Sequence, residues 1–280
     1  MTIGISELSY ESTNYYMKMD EDNAIGIVGG MGPEASLALF NRILSRTAAR
    51  KDQDHLSMIL MSFPRHIADR TAFLEGMEPV NPAYSIARII GKLAVAGSKI
   101  VGIACNTAHA PEIFNVILEE LDKMNSRVKL VSMPLETCRH IRSQHSGVRR
   151  IGIMSTNGTY KAGIYENLLR EWGYEVVLPD LAFQQDCIHR IVYDPVYGIK
   201  ANANKISRQA RSSMQASVEY FKKRKTDAIV LGCTELSLFA TGKEKEPGLI
   251  MIDSIEALAR ALIREAVAGS QPVVNCLPTI

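Results

Sequence analysis

The sequence predicts an α/β fold of two similar lobes, each a parallel four-stranded sheet flanked by helices. Three observations lead to this prediction. Short apolar runs recur along the chain, and each ends in glycine or small polar residues. The stretches between these runs carry apolar residues at intervals of three and four, which is the spacing of one helix face. The pattern of the first half of the chain also returns in the second half.

The apolar runs predict eight buried strands, and their alternation with helices indicates parallel sheets. In order, the strands are Ile25–Val28, Ser57–Met61, Ile100–Ala104, Lys129–Val131, Ile151–Met154, Tyr174–Leu178, Ala228–Leu231 and Leu249–Ile252. The helical stretches are Pro33–Arg50, Pro82–Ala96, Pro111–Met124, Tyr160–Trp172, Ile199–Lys223 and Ser254–Ala268. Two of these helices are expected to begin with proline in the first turn, where a missing N–H has no cost.

Two motifs recur at nearly the same offset. Ile25-Gly-Ile-Val-Gly-Gly-Met-Gly-Pro returns in outline as Ile151-Gly-Ile-Met-Ser-Thr-Asn-Gly-Thr, 126 residues later. Val101-Gly-Ile-Ala-Cys-Asn-Thr returns as Ile229-Val-Leu-Gly-Cys-Thr-Glu, and its cysteine lies 128 residues further on. Two independent matches indicate a duplicated half. We therefore expect two lobes related by a pseudo-twofold axis, with a site between them.

The predicted domain organisation has three parts. Residues 1–23 are a polar tail, in which Met17 or Met19 is an alternative start of translation. Residues 24–134 and 255–280 form the first lobe, to which the C-terminal helix returns, and residues 135–254 form the second. The hinge is expected between Pro134 and Arg149, where a basic stretch beginning at His140 indicates a helix end and a solvated loop.

Composition excludes several classes of protein. The 280 residues are 46% hydrophobic and 22% charged, which is typical of a globular protein and excludes disorder. The net charge of +2 indicates no nucleic-acid partner. No run is long enough to cross a membrane, and the first 23 residues lack the pattern of a signal peptide. The five cysteines show no disulfide or zinc spacing, so we expect a cytoplasmic protein with reduced thiols and no metal.

A glycine-rich loop follows the first predicted strand and opens a helix. Such a loop can hold an anion at the helix N-terminus, and Gly30, Gly32 and Ala35 satisfy the permissive dinucleotide pattern. A dinucleotide fold also needs an acidic residue at the end of the next strand, and that strand ends in Ser-Phe-Pro. The pattern therefore favours a small-anion or carboxylate loop that includes Met31 and Gly32, with a purely structural turn as the alternative.

Cys105 and Cys233 are the strongest candidates for chemistry. Each lies at the carboxyl end of a predicted strand, the sheet edge where α/β proteins bind ligands, and small polar residues follow each of them. A single buried cysteine is usually a packing residue. Two cysteines at matching positions of a duplicated chain instead indicate a pair of acid/base groups on opposite sides of one cleft. Cys138, Cys187 and Cys276 have no such placement and are expected to be packing residues.

Three motifs resemble one known family. Gly-Gly-Met-Gly-Pro-Glu-Ala over residues 29–35, Ala-Cys-Asn-Thr-Ala-His over 104–109 and Gly-Cys-Thr-Glu over 232–235 are similar to the cofactor-independent aspartate racemases of the aspartate/glutamate racemase superfamily. The resemblance extends from about Ile25 to about Ala268, and Glu235, where glutamate racemases carry histidine, favours the aspartate branch. It implies a homodimer that acts on a free amino acid by two-base proton transfer at Cα without pyridoxal phosphate or another cofactor.

The resemblance also implies roles for further residues. Asn106, Thr107 and Thr234 follow the two cysteines and are expected to hold the α-carboxylate, and Thr156 and Thr159 match a Thr-x-Gly-Thr loop of the family. Arg70 and Lys200 match basic segments of the family and are expected to bind a side-chain carboxylate, although Ala68 stands where the family tends to have proline. The remaining ionisable residues near the motifs, His109 and Glu235, are expected to orient a cysteine or to make a structural hydrogen bond. Glu235 is also among the residues expected to bind the substrate.

The alternatives at this point are related enzymes and one unrelated class. Glutamate or a broader set of amino acids remains open as the substrate. A maleate isomerase, a hydantoin racemase or an arylmalonate decarboxylase would use the same scaffold and one or both cysteines. A protein that binds a small dicarboxylate without catalysis is the alternative from a different class.

Overall fold

The computed structural model describes residues 23–202, 205–240 and 249–269, with eight strands in two sheets. The first sheet contains β1 (Ala24–Gly29), β2 (Met58–Ser62), β3 (Ser98–Ile103) and β4 (Lys129–Val131). The second contains β5 (Arg150–Ser155), β6 (Glu175–Val177), β7 (Ala228–Gly232) and β8 (Ile250–Asp253). All eight predicted strands are confirmed, each within two residues of its expected bounds.

The two sheets have the same topology. The strand order is β2-β1-β3-β4 in the first and β6-β5-β7-β8 in the second, and every neighbouring pair is parallel. The predicted α/β fold of two four-stranded parallel sheets is thereby confirmed. Because all strands of a parallel sheet end at the same edge, the loops after β1 and β3 lie together, and so do those after β5 and β7.

Helices cover both sheets. They are α1 (Pro33–Arg46), α2 (Arg70–Leu74), α3 (Ala83–Val95), α4 (Pro111–Lys123), α5 (Met133–Gln144), α6 (Asn157–Lys161), α7 (Ile164–Glu171), α8 (Leu181–Phe183), α9 (Arg190–Tyr193), α10 (Arg208–Lys223), α11 (Ser237–Ala240) and α12 (Ser254–Gly269). A π-helical turn over Gln184–His189 joins α8 to α9. As expected, α1 and α4 each begin with proline. In the described part of the chain, no helix has the length and apolar character needed to cross a membrane.

Two predicted helices have different bounds in the structure. The helix predicted over 160–172 is interrupted at Gly163, whose φ of +63° is left-handed and starts α7 as a separate helix. The helix predicted from residue 199 begins only at Arg208, where the Ser207 side chain accepts a hydrogen bond from the Ala210 N–H at 3.0 Å. The helices between 181 and 193 were not predicted.

The two faces of the first sheet bury different side chains. Val28 and Val101 pack under α3 and α4, whereas Ile25 and Ile27 pack against α1 and α12. Strand residues alternate between the faces of a sheet, which explains this division. The last helix, α12, thus packs against the first sheet, although it begins 123 residues after the last strand of that sheet ends at Val131.

The predicted hinge region contains α5, a helix of which the sequence indicated only the end. α5 buries Cys138 and Ile141, and the basic stretch closes this helix before a short connection to β5. The helix end and connecting loop lie where they were expected. The domain limits themselves stay a prediction, and the tail over 1–23 lies almost entirely outside the described residues.

Candidate active site

A cavity of about 320 Å³ opens where the loops of both sheets meet. From the first sheet, it is lined by the loop after β1 and by residues that follow β2. From the second sheet, it is lined by a 3₁₀ turn over Ile199–Ala201 and by the loop after β7. The lining residues are Gly30, Met31, Gly32, Pro33, Glu34, Pro64, Ile67, Asp69, Arg70, Ile199, Lys200 and Glu235.

Five of the predicted binding residues line this cavity together. They are Met31, Gly32, Arg70, Lys200 and Glu235. Cys105 and Cys233 do not line the cavity themselves. Both are buried, and each interacts with a lining residue, Cys105 with Arg70 and Cys233 with Glu235. The other four predicted residues, Asn106, Thr107, Thr156 and Thr234, are buried outside the lining.

The glycine-rich loop is shaped by Gly30. Its φ is +95°, and a Cβ at this position would lie 2.9 Å from the backbone nitrogen of Pro64. Only glycine allows both this conformation and this close approach. The loop then enters α1 at Pro33 and directs the Met31 carbonyl towards Arg70.

Arg70 is the buried cation of the cavity. Its Nη1 donates to the Ala68 carbonyl at 3.1 Å and its Nη2 to the Met31 carbonyl at 3.2 Å, whereas its Nε is buried without a partner. Burial by itself would lower the Arg70 pKa. The Cys105 side chain, with Tyr193 and Asp69, outweighs this effect, and the pKa lies above its ordinary value. The guanidinium is therefore charged. Two of its five N–H groups donate to protein carbonyls, and its Nε–H is among those left for a ligand.

Lys200 is held in a hydrogen-bonded group that joins the two lobes. Its Nζ donates to the Tyr193 hydroxyl at 2.7 Å, and that hydroxyl donates to Asp69 Oδ2 at 2.9 Å. The distance from Lys200 Nζ to Asp69 Oδ2 is 3.6 Å. Burial opposes the charge of Lys200, but Tyr193, Glu235 and Asp69 outweigh it and raise the lysine pKa. Asp69 also caps α2 by accepting from the Thr71 and Ala72 N–H groups.

The two candidate cysteines have neighbours of opposite charge. Cys105 belongs to the same buried cluster as Met31 and Ile67, and its side chain interacts electrostatically with the Arg70 guanidinium. The Cys233 thiol donates to Glu235 Oε2 at 3.0 Å. Burial raises the pKa of Cys233, and the Glu235 carboxylate raises it further. Cys233 therefore retains its proton, whereas Cys105 lies beside a cation.

The hydroxyl and amide residues near the cysteines are already hydrogen-bonded. Asn106 accepts from the Tyr165 hydroxyl at 2.5 Å and donates to Ser254 Oγ at 3.1 Å. The Thr107 hydroxyl lies 3.2 Å from that of Thr156 and 2.9 Å from that of Thr159. The Thr234 hydroxyl donates to Glu235 at 3.1 Å. The Thr107 contacts join the loop after β3 to the segment after β5, and the binding roles of Asn106 and these threonines stay predictions.

Close packing reinforces this junction between the lobes. A Cβ at Gly158 would lie 2.8 Å from Thr107 Cγ2 and 2.8 Å from Thr71 Oγ1. The side chains of Thr107 and Thr71 thus approach the backbone of α6 directly. A larger residue at this position would displace the loops that carry Cys105 and Arg70.

His109 makes a structural link below Cys105. Its Nδ1 lies 2.9 Å from the Cys105 carbonyl, and the Met133 N–H donates to its Nε2 at 3.3 Å. This pair of partners requires the neutral tautomer with its proton on Nδ1. His109 orients the backbone of Cys105 and the start of α5, so the structural hydrogen bond is the role that the geometry supports.

Protonation of His109 is expected to destabilise the fold as the pH falls. Burial lowers the pKa of His109 from 6.5 to about 4, although hydrogen bonds to the backbone of Cys105 and Asn106 partly oppose this change. Below pH 6.5 the unfolded chain therefore binds more protons than the folded one. The free energy of unfolding should lose on the order of 3 kcal/mol between these two pKa values.

Urea unfolding from about pH 7.5 to about pH 4.5 measures this loss of stability. His109→Asn should be less stable at neutral pH but should flatten this part of the pH dependence. His66→Asn, at an exposed position, is the control and should follow the wild type. An unchanged slope in His109→Asn would show that other groups cause the acid sensitivity.

The two other cysteines in the described part of the chain do not line the cavity. Cys138 is fully buried, and burial raises its pKa to about 12. Cys187 is half-buried, with its Sγ 3.6 Å from the Ser213 carbonyl. Cys276 lies outside the described residues. In the described part, no group of three or more histidine, cysteine, aspartate or glutamate side chains could hold a metal ion.

Sequence reasoning missed several residues of this region. Tyr193 and Asp69 complete the group around Lys200, Tyr165 holds Asn106, and Glu34 lines the cavity. Asp69 and Glu34 are next to residues that the motifs singled out, and Tyr193 lies in the segment that leads to Lys200. The sequence alone carried no signal for Tyr165, because its partner is 59 residues away.

Comparisons with known proteins identify relatives over most of the chain. The family model described as Asp/Glu/Hydantoin racemase matches residues 28–262. The solved structure of the Picrophilus torridus aspartate racemase is 31% identical, with a TM-score of 0.71 over 88% of this chain and 94% of that chain. A Francisella tularensis glutamate racemase in complex with D-glutamate shares the fold at 14% identity, with a TM-score of 0.61 over 91% of this chain and 85% of that one.

A shorter match comes from sequence alone. The glutamate racemase of Bacillus cereus is 28% identical over 140 residues, which cover 49% of this chain and 44% of that protein. The family model, in contrast, spans both sheets and both motif cysteines. With the similarity to the Picrophilus enzyme over most of both chains, this match shows that the protein belongs to the Asp/Glu/hydantoin racemase family.

Proposed function

We propose that the protein is an amino-acid racemase that interconverts L- and D-aspartate without pyridoxal phosphate, with Cys105 and Cys233 as its two bases. The observation that supports this most directly is the pairing of each cysteine with a different charge. Arg70 contacts Cys105, Glu235 contacts Cys233, and both of these neighbours line one cavity. Two inequivalent thiols, each next to a lining residue of the same cavity, suit a reaction that removes a proton from one face of a carbon and returns one to the other.

The two thiols start the reaction in different protonation states. Cys233 begins as the thiol, because burial and Glu235 raise its pKa and its proton lies on a hydrogen bond to Glu235 Oε2. We assign the removal of the α-proton in this direction to Cys105, which lies beside the Arg70 guanidinium. Turnover of the opposite enantiomer exchanges these states. The positive charge of Lys200 favours the thiolate form of Cys233 in that half of the reaction.

In each turnover one sulfur gains a proton from Cα and the other sulfur gives a proton to Cα. The thiolate takes the α-proton as the Cα–H bond breaks, and the bonding electrons move into the α-carboxylate as an enediolate. The thiol on the opposite face then gives its proton to Cα, so the product has the inverted configuration and the two sulfurs have exchanged one proton. Negative charge grows on the carboxylate during the first step, so nearby cations and N–H donors stabilise the transition state.

Arg70 and Lys200 would select a substrate with a second carboxylate. The unpartnered Nε of Arg70 is available to such a group, and Lys200 approaches from the other lobe. The similar Picrophilus torridus protein is described as an aspartate racemase, which favours aspartate over glutamate. Glutamate and other amino acids are the alternative substrates, and the experiment must distinguish them from aspartate.

A panel of single L- and D-amino acids, incubated without pyridoxal phosphate and analysed by chiral separation, tests the proposal. Aspartate should give the racemic mixture from either enantiomer and should take up deuterium at Cα in D₂O. Turnover of glutamate alone would contradict the substrate assignment. Stabilisation by dicarboxylates with no deuterium uptake from any amino acid would indicate a binding protein, and turnover of maleate alone would indicate a related isomerase.

A further inference from the structure

Two unpartnered buried atoms of opposite charge belong to the lining of the cavity. Among the described residues, Arg70 Nε and Glu235 Oε1 are both buried without a hydrogen-bond partner. Arg70 is 6% exposed and Glu235 is 5% exposed. A buried polar atom without a hydrogen-bond partner is costly, so a donor atom and an acceptor atom left unpaired on two lining residues of one cavity indicate a ligand that carries both charges.

Glu235 divides its two oxygens between different tasks. Oε2 accepts from the Cys233 thiol at 3.0 Å and from the Thr234 hydroxyl at 3.1 Å. Oε1 faces the glycine-rich loop and lies 3.3 Å from where a Cβ of Gly32 would be. This second oxygen is therefore free to accept from a donor in the cavity, directly beside the thiol that acts on Cα.

Glu34 brings a second carboxylate to the lining of the same cavity. It follows Gly32 by two residues, in the first turn of α1, and lines the cavity. Within the described residues its side chain makes no hydrogen bond or ion pair. The helix dipole also favours an acidic side chain in the first turn of a helix. The position of Glu34 by itself therefore does not distinguish a substrate-binding role from stabilisation of α1. Glu112 occupies the same position after Pro111 in α4 but does not line the cavity, which makes it a matched control.

We propose that Glu235 Oε1 and the Glu34 carboxylate together bind the α-ammonium group of the substrate. This inference rests on the proposed function, because it assumes an amino-acid substrate. An ammonium group offers three N–H donors and a positive charge, which matches two acceptors of negative charge. The substrate thus lies between Arg70 and the two glutamates, and dicarboxylates without an amino group are discriminated against because they leave Glu235 Oε1 unpaired.

Calorimetric titration of two ligands tests this assignment. The ligands are racemic aspartate, whose composition turnover cannot change, and succinate, which keeps both carboxylates and lacks the ammonium group. Glu34→Gln should weaken aspartate binding by about 10- to 100-fold, the size of a lost charge-assisted hydrogen bond, and should leave succinate binding within about threefold of the wild type. Glu112→Gln should change neither affinity.

Glu235→Gln gives a second and independent measurement. The amide oxygen can still accept from Cys233 and Thr234, which places the NH₂ group towards the cavity, where it opposes an ammonium group. Aspartate binding should again weaken by at least about tenfold, with succinate binding retained. Thermal unfolding of both variants checks that they are folded.

Each result bears on one of the two proposals. Equal weakening of aspartate and succinate in both variants, or no weakening of aspartate in either, would overturn the ammonium site. Failure of the protein to racemise aspartate would overturn the proposed function but leave this binding test intact. Selective loss of aspartate binding in a protein without turnover would then establish an amino-acid binding site.

Discussion

Serine in place of Cys105 or Cys233 is expected to lower kcat/KM for aspartate racemisation by about 10²- to 10⁴-fold, the usual contribution of one acid/base group. A hydroxyl is a much weaker acid than a thiol, so serine does not form the anion that serves as the base near neutral pH. Both side chains are buried, and serine keeps their size and a hydrogen-bond donor, so the fold should be retained. Chiral separation with either enantiomer as the starting material measures the loss.

Deuterium exchange makes this test more specific. Each variant retains one cysteine, which reaches only one face of Cα. Any residual exchange in D₂O should therefore keep the configuration of the substrate, and the two variants should act on opposite enantiomers. Cys187→Ser is the matched control, since Cys187 is half-buried away from the cavity lining and serine can still donate to the Ser213 carbonyl. Full racemisation by either Cys105→Ser or Cys233→Ser would contradict the two-base mechanism.

Lysine in place of Arg70 should reduce kcat/KM for aspartate by about 10²-fold or more, with most of the loss in KM. The substitution keeps the positive charge but loses the planar fork, which donates to the Ala68 and Met31 carbonyls and has Nε free for a ligand. Two charge-assisted hydrogen bonds contribute about 1.5–3 kcal/mol each, which sets the expected size of the effect. Steady-state kinetics and succinate binding measure it.

The two ligands separate the roles of Arg70 and the glutamates. Succinate keeps the carboxylates that Arg70 would bind, so Arg70→Lys should weaken succinate and aspartate alike, unlike Glu34→Gln. Arg65→Lys is the control, because Arg65 is exposed in the same segment and does not line the cavity. A loss confined to kcat, with unchanged KM and succinate affinity, would show that Arg70 acts on Cys105 rather than on the substrate.

The predictions about secondary structure succeeded where the signal is local. An apolar run such as Ile25–Val28 marks a buried strand whatever its neighbours are, and all eight strands were found. The segment from Leu181 to Tyr193 was missed because its helices depend on packing against the second sheet, where Ile188 and Ile191 contact Met154 and Leu231. Tertiary contacts of this kind override local propensity.

For the candidate site too, the sequence predicted which residues are present, and the structure decided which of them meet. Arg70, Lys200 and Glu235 were expected from their motifs, and the structure brings all three to one cavity. Thr107 and Thr156 are predicted to bind the substrate, and that role stays a prediction. Their hydroxyls lie 3.2 Å apart across the lobes, a contact that no motif indicated. A motif states which residue types are present, whereas the partner of each side chain depends on the packing of distant segments.

The sequence by itself determined the two-sheet architecture, the duplication and the position of each cysteine at the end of a strand, because these follow from patterns within a few neighbouring residues. Only the tertiary structure decided which charges meet. Glu235 faces Gly32. Tyr193 connects Lys200 to Asp69, which precedes the tyrosine by 124 residues. Such pairings arise when two separately folded sheets pack together, and no local spacing in the chain encodes them.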